Sequence, residues 1–434
     1  MRRPASTPSA AEFSAVRIER IGAEGDGIGR LADGKPVYVP FTLAGELVRA
    51  HPVARRGDGW AGQLDAVLEP AAERVPSPCQ HFGSCGGCVL QHWRPDAYLA
   101  WKSGLLRDAL HRAGYADAAI APVRTTGPHE RRRMDLAAHR TRDGVTVGLH
   151  ARGGPVVELH ACHVLHPALF ALLAPLRSLL AQLHGLRREA SIVANLCDNG
   201  PDLLLRTETA LTAGDRTLLI AFAREHRLAR LSWAQAYAVP EPVLILRPPE
   251  VTLSGIAVQP PPGGFLQAST AGEAAIVEAV LAGLPPRLTK RTRVAELYAG
   301  CGTLSFALAQ QVRVAAFEGD AAAAEALRRA TNIAGLAGRI EVSQRDLTRQ
   351  PLSSAELSGV AAVVLDPPHA GAALQTAQIA AAKPPRVIYV SCNPAALARD
   401  ARTLHQAGYR LLSATPIDQF LWSARLESVC SFGL

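Results

Sequence analysis

The sequence lacks the long apolar runs and the leader pattern that would direct a chain into or across a membrane. No stretch of about 18 uncharged apolar residues occurs, and the most apolar candidate, residues 166–186, is interrupted by Arg177, prolines and histidines. The arginines in MRRPASTPSAAEF are not followed by an apolar segment, so we expect no secretory signal. We therefore expect a cytoplasmic protein without membrane contact, in a reducing compartment where disulfides do not form.

Charged residues are also scarce, and their balance is basic. They make up 19% of the chain against 48% apolar residues, a composition typical of globular proteins with several buried cores. The length of 434 residues favours roughly two to four domains, and no internal repeat is visible. The formal net charge of +8 favours a polyanionic partner, although many basic proteins bind no nucleic acid.

The pattern of residue types changes three times along the chain. Residues 1–12 are rich in proline, serine and alanine, which predicts a disordered tail. Residues 13–72 contain short β-segments between glycine turns, which favours a small barrel of the oligonucleotide-binding type or a β-domain without a ligand. Residues 73–285 mix helical and strand patterns, which predicts a central α+β domain. Residues 286–434 alternate strands with helices, which predicts an α/β domain with a doubly wound, Rossmann-like parallel sheet.

A glycine-containing turn opens the α/β region. In RVAELYAGCGTLSFALA (residues 293–309) a strand leads through Gly300 and Gly302 into a helix, so the backbone can approach a ligand closely at the strand's carboxyl end. The third glycine of the dinucleotide fingerprint is missing, so no pyrophosphate site is indicated. A nucleoside without phosphates fits better, and S-adenosylmethionine is the obvious one.

Acidic residues end the three strands that follow this turn. Glu318 comes twenty residues after Tyr298, at the position where a carboxylate binds the two hydroxyls of a ribose. Asp346 and Asp366 end the next two strands. Each acid taken singly could be a solvated strand-end carboxylate, but together with the turn they indicate a methyltransferase.

Four of the eight cysteines could form one metal site. Three lie in a glycine-rich loop with the spacing C-x5-C-x2-C and a fourth follows in LHACHVLHP: Cys79, Cys85, Cys88 and Cys162. Four thiolates suit Zn²⁺ or an iron–sulfur cluster, and the spacing does not separate the two. His81 and His92 could also serve as zinc ligands, and coincidental clustering is the remaining alternative.

Another cysteine lies at a corner between a strand and a helix. In VIYVSCNPAALARD (residues 387–400), Pro394 suits the first helical position and Asn393 the cap before it. Cys392 therefore lies at the carboxyl end of a strand and just before a helix N-terminus, where ligands bind and thiolates are favoured. The alternative is a small core residue, which is also our interpretation of Cys430. Cys301 lies inside the glycine turn, where we expect it either to pack against neighbouring side chains or to contact the cofactor.

A thiolate beside a methyl donor suits methylation of uracil at carbon 5. Addition of the thiolate to carbon 6 turns the ring into an enolate that attacks the methyl group, and a base must then remove the proton from carbon 5. Glu427, in a C-terminal strand with apolar neighbours, is the best candidate for that base, although it could be a surface glutamate.

These motifs together resemble the bacterial RNA (uracil-5-)-methyltransferases, specifically the ribosomal RNA 5-methyluridine branch with a TRAM domain and an iron–sulfur cluster. The resemblance covers nearly the whole chain, and its strongest motif is VSCNPAALARD (residues 390–400). The other matching segments are EGDGIGR, PVYVPFTLAGE, PCQHFGSCGGCVLQH, GGFLQAS, ELYAGCGT and LDPPHAG.

The resemblance implies a role for each of these segments. Cys392 would be the nucleophile and Glu427 the general base. The four clustered cysteines would hold a structural [4Fe–4S] cluster. The residues implied to contact S-adenosylmethionine are Gln267, Tyr298, Gly300, Thr303, Glu318, Asp346 and Asp366.

The implied substrate is a uridine in RNA, specifically 23S ribosomal RNA, extruded from the folded RNA into the active site. The barrel and the arginine run at residues 131–133 would hold the RNA, unless that run is a solvated strand edge. We expect a monomer.

Two residues and one segment depart from the family's usual pattern. Thr303 replaces a common asparagine, His369 follows the two prolines in place of an arginine, and residues 421–425 (LWSAR) replace a segment with proline, histidine and threonine. Two other functions stay open. DPPH resembles the motif with which amino-methyltransferases hold an exocyclic amine, and a non-catalytic RNA-binding or ribosome-assembly protein would need no chemistry at Cys392.

Overall fold

A computed structural model describes residues 15–434, so the predicted disordered tail at residues 1–12 lies outside the described residues. These residues form two compact units. One comprises the described residues up to Trp101 together with Trp422–Arg425, and the other comprises Lys102–Leu421 and Leu426–Leu434. None of the helices in residues 15–434 has the length and apolar character that a membrane crossing requires.

The first unit contains a closed barrel of five strands in the order β1-β2-β3-β5-β4. Its strands alternate buried and exposed residues, as in β1, because one face of each strand lines the barrel interior. Val37, Val39 and Val48 are among the residues that fill this interior. The predicted small barrel is confirmed. Its strands are β1 (Val16–Ile21), β2 (Gly27–Arg30), β3 (Pro36–Val39), β4 (Leu47–Arg56) and β5 (Gly59–Glu69).

After the barrel come helix α1 (Pro95–Ala113), strand β6 (Arg124–Thr125) and a seven-stranded sheet with the order β13-β12-β11-β10-β7-β8-β9. The sheet is antiparallel except between β11 and β12, because helix α4 lies between these two strands in the chain. Thr212 and Asp215 form a capping box that fixes the start of α4. The predicted α+β character is confirmed. The strands are β7 (Arg133–Thr141), β8 (Gly144–His150), β9 (Val156–Glu158), β10 (Glu189–Cys197), β11 (Gly200–Thr207), β12 (Arg230–Gln235) and β13 (Glu241–Ile245), and the helices are α2 (Pro167–Phe170), α3 (Leu173–Gln182) and α4 (Ala213–Glu225).

A small β-hairpin and an eight-stranded sheet complete the chain. The sheet order is β18-β17-β16-β19-β20-β22-β21-β6, so the strand order reverses between β16 and β19. Ligands bind outside the carboxyl ends of the strands at such a reversal. The elements are β14 (Val251–Leu253), β15 (Ile256–Val258), α5 (Thr270–Ala282), β16 (Arg293–Leu297), α6 (Thr303–Ala309), β17 (Arg313–Glu318), α7 (Ala321–Ile333), β18 (Ile340–Gln344), β19 (Ala362–Leu365), α8 (Ala373–Ala382), β20 (Arg386–Ser391), α9 (Pro394–Gln406), β21 (Arg410–Asp418) and β22 (Glu427–Gly433).

The central strands of this sheet are buried on both faces. Every residue of β19 and β22 is buried, and two apolar cores cover the two faces of the sheet. The predicted Rossmann-like sheet is confirmed, and one antiparallel strand, β22, lies among its parallel strands. This strand pairs antiparallel with both β20 and β21, because residues 419–426 contain no helix that could carry the chain back for a parallel pairing.

Candidate active site

A cavity of about 870 Å³ opens at the carboxyl ends of β16, β17, β19 and β20. All nine residues predicted to bind the cofactor or to act in catalysis line it, together with Phe265, Cys301 and His369. The predicted residues are Gln267, Tyr298, Gly300, Thr303, Glu318, Asp346, Asp366, Cys392 and Glu427. Parallel strands end at the same edge of a sheet, which explains why residues so far apart in the sequence converge here.

The glycine turn after β16 is held in a left-handed backbone conformation. Tyr298, Gly300 and Gly302 have φ values of 63°, 57° and 102°. A Cβ atom at Gly302 would lie 2.5 Å from the Leu327 side chain and 2.7 Å from Phe306, so only glycine fits there. The turn brings the backbone close to the cavity, as its sequence predicted.

Two of the strand-end acids accept hydrogen bonds from backbone N–H groups. The N–H of Gly300 donates to Glu318 Oε2 and that of Asp320 to Glu318 Oε1, both at 2.7 Å. The N–H of Thr348 donates to Asp346 Oδ1 at 3.0 Å. These bonds tie the Glu318 carboxylate to the glycine turn and aim both acids at the same end of the cavity.

Three other carboxyl groups at this site are desolvated. Burial raises the pKa of Glu296 to about 8, against a hydrogen bond from the Ser305 hydroxyl. Burial raises the pKa of Asp366 to about 7, although the Gln267 side chain donates to its Oδ2 atom at 3.4 Å. Burial, with repulsion from Asp366, raises the pKa of Glu427 well above its usual value. This part of the cavity therefore favours protonated carboxyl groups.

Cys392 lies at the corner between β20 and α9, as predicted. The Asn393 side chain caps the helix by accepting a hydrogen bond from the Ala395 N–H at 3.0 Å, and Pro394 occupies the first turn. The same Asn393 donates from Nδ2 to the His369 carbonyl at 2.9 Å and lies 3.0 Å from its Nδ1 atom. Cys392 is half-buried and its thiol lines the cavity.

The pairing of β20 with β22 places Glu427 beside this corner. The last paired residues are Ser391 and Ser428, which are joined further by a hydrogen bond from the Ser428 hydroxyl to the Ser391 carbonyl at 3.2 Å. The next residues beyond that pair are Cys392, which follows β20, and Glu427, which begins β22. Glu427 is buried, with 4% of its surface exposed, and it is not the surface glutamate of the alternative interpretation.

Residues that the sequence did not single out support the site. Gln419 hydrogen-bonds both Glu427 and Gln267. Asp400 accepts from the Tyr389 hydroxyl at 2.6 Å and the Ala372 N–H at 2.7 Å, which anchors the loop after the two prolines. Asp400 belongs to the VSCNPAALARD motif, which was a weak sequence signal for it, but nothing in the pattern marked Gln419.

The arginine run does not present three side chains to a ligand. Arg132 is buried, pairs with Glu273 at 2.7 Å and donates to the Gln267 carbonyl at 3.2 Å. It therefore supports the segment that carries Gln267, and its side chain is not presented on the surface as the prediction assumed. Arg133 lies over the ring of Phe265 at the cavity, 5.5 Å from its centroid.

The four predicted metal ligands lie in loops. Cys79, Cys85 and Cys88 belong to the first unit and Cys162 to the second, and none forms a disulfide. The Gly87 N–H donates to Cys85 Sγ and the Leu165 N–H donates to Cys162 Sγ, both at 3.4 Å. Within residues 15–434, no three His, Cys, Asp or Glu side chains are assembled as they would be around a metal ion. The donor chemistry fits a metal, and the metal centre stays a prediction.

Comparisons with known proteins agree with this architecture. The profile of the family described as tRNA (Uracil-5-)-methyltransferase matches residues 263–432, and the profile of the TRAM domain matches residues 14–51. The chain is 40% identical to an uncharacterized RNA methyltransferase of Brucella melitensis, over 95% of this chain and 96% of that protein. It is 33% identical to the 23S rRNA (uracil(1939)-C(5))-methyltransferase RlmD of Nitrosospira multiformis, over 96% of this chain and 98% of that protein.

A solved structure supports the fold of the described residues. The tRNA (uracil-54, C5)-methyltransferase of Pyrococcus abyssi, in complex with S-adenosyl-L-homocysteine, superposes with a TM-score of 0.74. It covers 97% of this chain and 99% of its own, at 20% identity. The predictions of a methyltransferase and of a TRAM domain are confirmed, and the chain belongs to the RNA (uracil-5-)-methyltransferase family.

Proposed function

We propose that the protein transfers a methyl group from S-adenosylmethionine to carbon 5 of a uridine in RNA, with Cys392 as nucleophile and Glu427 as base. One observation carries the proposal. Cys392 and Glu427 follow directly beyond the last pair of β20 and β22, in the cavity that Glu318 and the glycine turn also line. Nucleophile, base and nucleoside-binding acid thus share one edge of the sheet.

The side chains support a sequence of balanced steps. The Cys392 thiolate adds to carbon 6, and the ring electrons move to the carbon 4 oxygen as an enolate. Carbon 5 then attacks the methyl group of the sulfonium, and the sulfur–methyl bond breaks. Glu427 takes the proton from carbon 5, the double bond re-forms, and the cysteine leaves as a thiolate. A carboxyl group with a raised pKa in a desolvated site suits this transfer.

The opposite end of the cavity is suited to the methyl donor. We assign the two ribose hydroxyls to Glu318, whose carboxylate is already oriented by backbone N–H groups. Tyr298, Gly300, Thr303, Asp346 and the amide of Gln267 line the space around it. Asp366 lies near Gln267, toward the end where Glu427 lies.

The RNA partner is proposed from the relatives and the barrel. The Nitrosospira relative acts on 23S rRNA and the Pyrococcus protein on tRNA, and the first is the more similar to this chain. We therefore favour 23S ribosomal RNA as the substrate. The barrel domain, predicted to span residues 13–72, would hold part of this RNA. Mass-spectrometric mapping of 5-methyluridine in total RNA, with and without the protein, would identify the substrate. Loss of 5-methyluridine from tRNA alone would contradict the assignment.

The decisive experiment is Cys392→Ala. We expect no methyl transfer from labelled S-adenosylmethionine while cofactor binding persists, because only the covalent step is lost. Cys197→Ala is the matched control, since burial raises the pKa of that thiol to about 12 and it lies in β10, outside the cavity. Retained methyl transfer in Cys392→Ala would contradict the proposal and favour an amino-methyltransferase that uses Asp366–His369. Stoichiometric RNA binding without methyl transfer by the unmodified protein would favour a non-catalytic role.

We also keep the proposal that Cys79, Cys85, Cys88 and Cys162 ligate a structural [4Fe–4S] cluster. Their spacing and the N–H donors to two of the sulfurs support it. Anaerobically purified protein should contain about four irons and four sulfides per chain by the four-thiolate stoichiometry, and Cys85→Ser should lower that content. Zinc in place of iron would contradict it.

A further inference from the structure

Gln419 is a buried side chain between the two ends of the cavity. It follows β21 and has 4% of its surface exposed. Its Nε2 atom donates to Gln267 Oε1 at 2.8 Å and to Glu427 Oε2 at 3.0 Å. Its Oε1 atom accepts from the Ala268 N–H at 3.1 Å. Each polar atom of this amide therefore has a partner.

The orientation of this amide follows from the backbone. A main-chain N–H can only donate, so the atom facing Ala268 must be the Gln419 oxygen. The two Nε2 protons then face two acceptors, the Gln267 oxygen and the Glu427 carboxyl group. Because the Gln267 oxygen is engaged in this way, the Gln267 nitrogen faces Asp366 Oδ2 at 3.4 Å. Two amides thus connect the carboxyl groups of Asp366 and Glu427.

The two oxygens of Glu427 differ. Oε2 accepts the Gln419 hydrogen bond, whereas Oε1 is buried and has no hydrogen-bond partner within residues 15–434. Glu427 lines the cavity. A buried carboxylate oxygen without a donor is costly unless a reacting group uses it.

Packing around Gln419 is specific. A Cβ atom at Gly272, in α5, would lie 2.7 Å from the Gln419 Cβ and 2.9 Å from its Oε1. The glycine therefore leaves the space that the glutamine occupies. The preceding residue, Asp418, pairs with Lys102 at 3.0 Å, and both side chains are fully buried. This pair fixes the end of β21 from which Gln419 projects.

We propose that Gln419 is a positioning residue that holds Glu427 through Oε2, so that Oε1 is the atom that takes the proton from carbon 5. The inference rests on the proposed function. The same amide holds Gln267, so the orientation of the base is linked to that of a residue that we assign to the methyl donor. Gln419 touches neither the uracil nor the transferred methyl group in this assignment.

The charges around Glu427 give the inference a pH signature. The neighbouring titratable groups are Asp366, which follows β19, and Cys392, which follows β20. Two buried ion pairs also lie nearby: Lys102–Asp418 ends at the residue before Gln419, and Arg132–Glu273 contacts the Gln267 carbonyl through Arg132. Burial and the Asp366 charge raise the pKa of Glu427, and the hydrogen bond from Gln419 opposes them. Removing that donor raises the pKa further, so a smaller fraction of Glu427 is ionised at neutral pH.

The test is Gln419→Met, which keeps the length of the side chain and removes its donors. Single-turnover reactions at saturating cofactor would follow the methylated protein–RNA adduct on denaturing gels. We expect proton removal to slow about 10- to 100-fold at neutral pH, because the variant loses a hydrogen bond to a charged group. The methylated adduct should then accumulate. The midpoint of the pH–rate profile should move up by about 1 to 2 units, and alkaline pH should restore the rate.

A second variant tests the geometry without changing the glutamine. Gly272→Ala should displace Gln419 and produce the same adduct and the same upward movement of the profile. Gly104→Ala is its control, because a Cβ at this helical glycine in α1 would meet nothing within 4 Å. Thermal unfolding of each variant would show whether it folds.

The outcomes separate the inference from the proposed function. If Glu427→Gln accumulates adduct and the two test variants keep the wild-type profile, Gln419 does not position the base. A uniform loss of rate with an unmoved midpoint would also overturn the inference, because it would indicate a structural role alone. If Cys392→Ala stays active and no variant forms an adduct, the proposed function itself fails.

Discussion

The two ends of the cavity treat carboxyl groups in opposite ways. At the glycine turn, Glu318 and Asp346 accept hydrogen bonds from backbone N–H groups, which replace water around a carboxylate. At the other end, Asp366 and Glu427 accept hydrogen bonds from side-chain amides, and burial raises the pKa of both. The first arrangement suits a group that must stay fixed while it binds hydroxyls, and the second suits a group that must exchange a proton.

The difference arises from where each acid leaves its strand. Glu318 and Asp346 lie beside turns whose N–H groups point outward, toward the carboxylates. Glu427 begins a strand that is buried along its whole length, so its side chain lies inside the sheet's packing. One edge of one sheet therefore provides both environments.

Glu427→Gln should produce the largest effect. It should abolish proton transfer at this end of the cavity and leave cofactor binding at the other end unchanged. Turnover should fall about 10²- to 10⁴-fold, the usual contribution of a general base, because an amide cannot take the carbon 5 proton. Affinity for S-adenosylhomocysteine, measured by calorimetry, should be unchanged. A large loss of cofactor affinity would show that the two ends are not separate.

Glu318→Gln should produce the opposite result. Cofactor affinity should fall about 10- to 100-fold through the loss of charge-assisted hydrogen bonds, with little change in turnover at saturating cofactor. Glu341→Gln, on the exposed side of the neighbouring strand β18, is the matched control. If turnover at saturation falls as far as it does in Glu427→Gln, Glu318 does more than bind.

Glu296→Gln tests whether the buried carboxyl groups make the free energy of unfolding depend on pH. Its folded pKa of about 8 exceeds the ordinary value of 4.5, so the protonated form is favoured in the folded protein and stability is lost as pH rises through this range. Urea unfolding between pH 5 and about 8 should show this decline in the wild type, and the variant should show a flatter profile. The Ser305 hydroxyl can donate to the new amide oxygen as it does to the carboxylate. An unchanged slope would assign the decline to Asp366 and Glu427.

Asn393 variants should produce the smallest effect. Asn393→Ala removes the cap of α9 and the bonds to His369, and should lower the free energy of unfolding by about 1 kcal/mol. Asn393→Asp keeps a capping oxygen but loses the Nδ2 donor, so it should restore most of that stability without the link to His369. Chemical denaturation would measure both, and equal losses in the two variants would show that the cap contributes little.

Features that depend on residues close together in the sequence could be predicted. The corner at Cys392 follows from the local order of strand, asparagine and proline, and the structure shows that cap. The acids at the strand ends converge because parallel strands end at one edge, which the alternation of strands and helices predicted. The closed barrel follows from short strands with glycine turns.

Contacts between distant residues could not be predicted. Gln419 meets Gln267 across 152 positions, and Arg132 meets Glu273 across 141, so no local pattern marks either pair. The sequence pattern therefore predicted that Arg132 would be exposed to RNA, whereas its side chain is buried. The direction of β22 cannot be read from its own sequence, because it depends on a connection without a helix and the strand is as buried as a parallel strand.

The segment Trp422–Arg425 has a consequence for how the chain is made. It belongs to the compact unit of the barrel and the cysteine loop, where the N–H groups of Val89 and Leu90 donate to the Trp422 carbonyl and the Trp422 N–H donates to the Tyr98 hydroxyl. Trp422 is synthesised 324 positions after Tyr98. The N-terminal unit therefore cannot finish folding as it leaves the ribosome, and its last contacts must wait until almost the entire polypeptide has been translated.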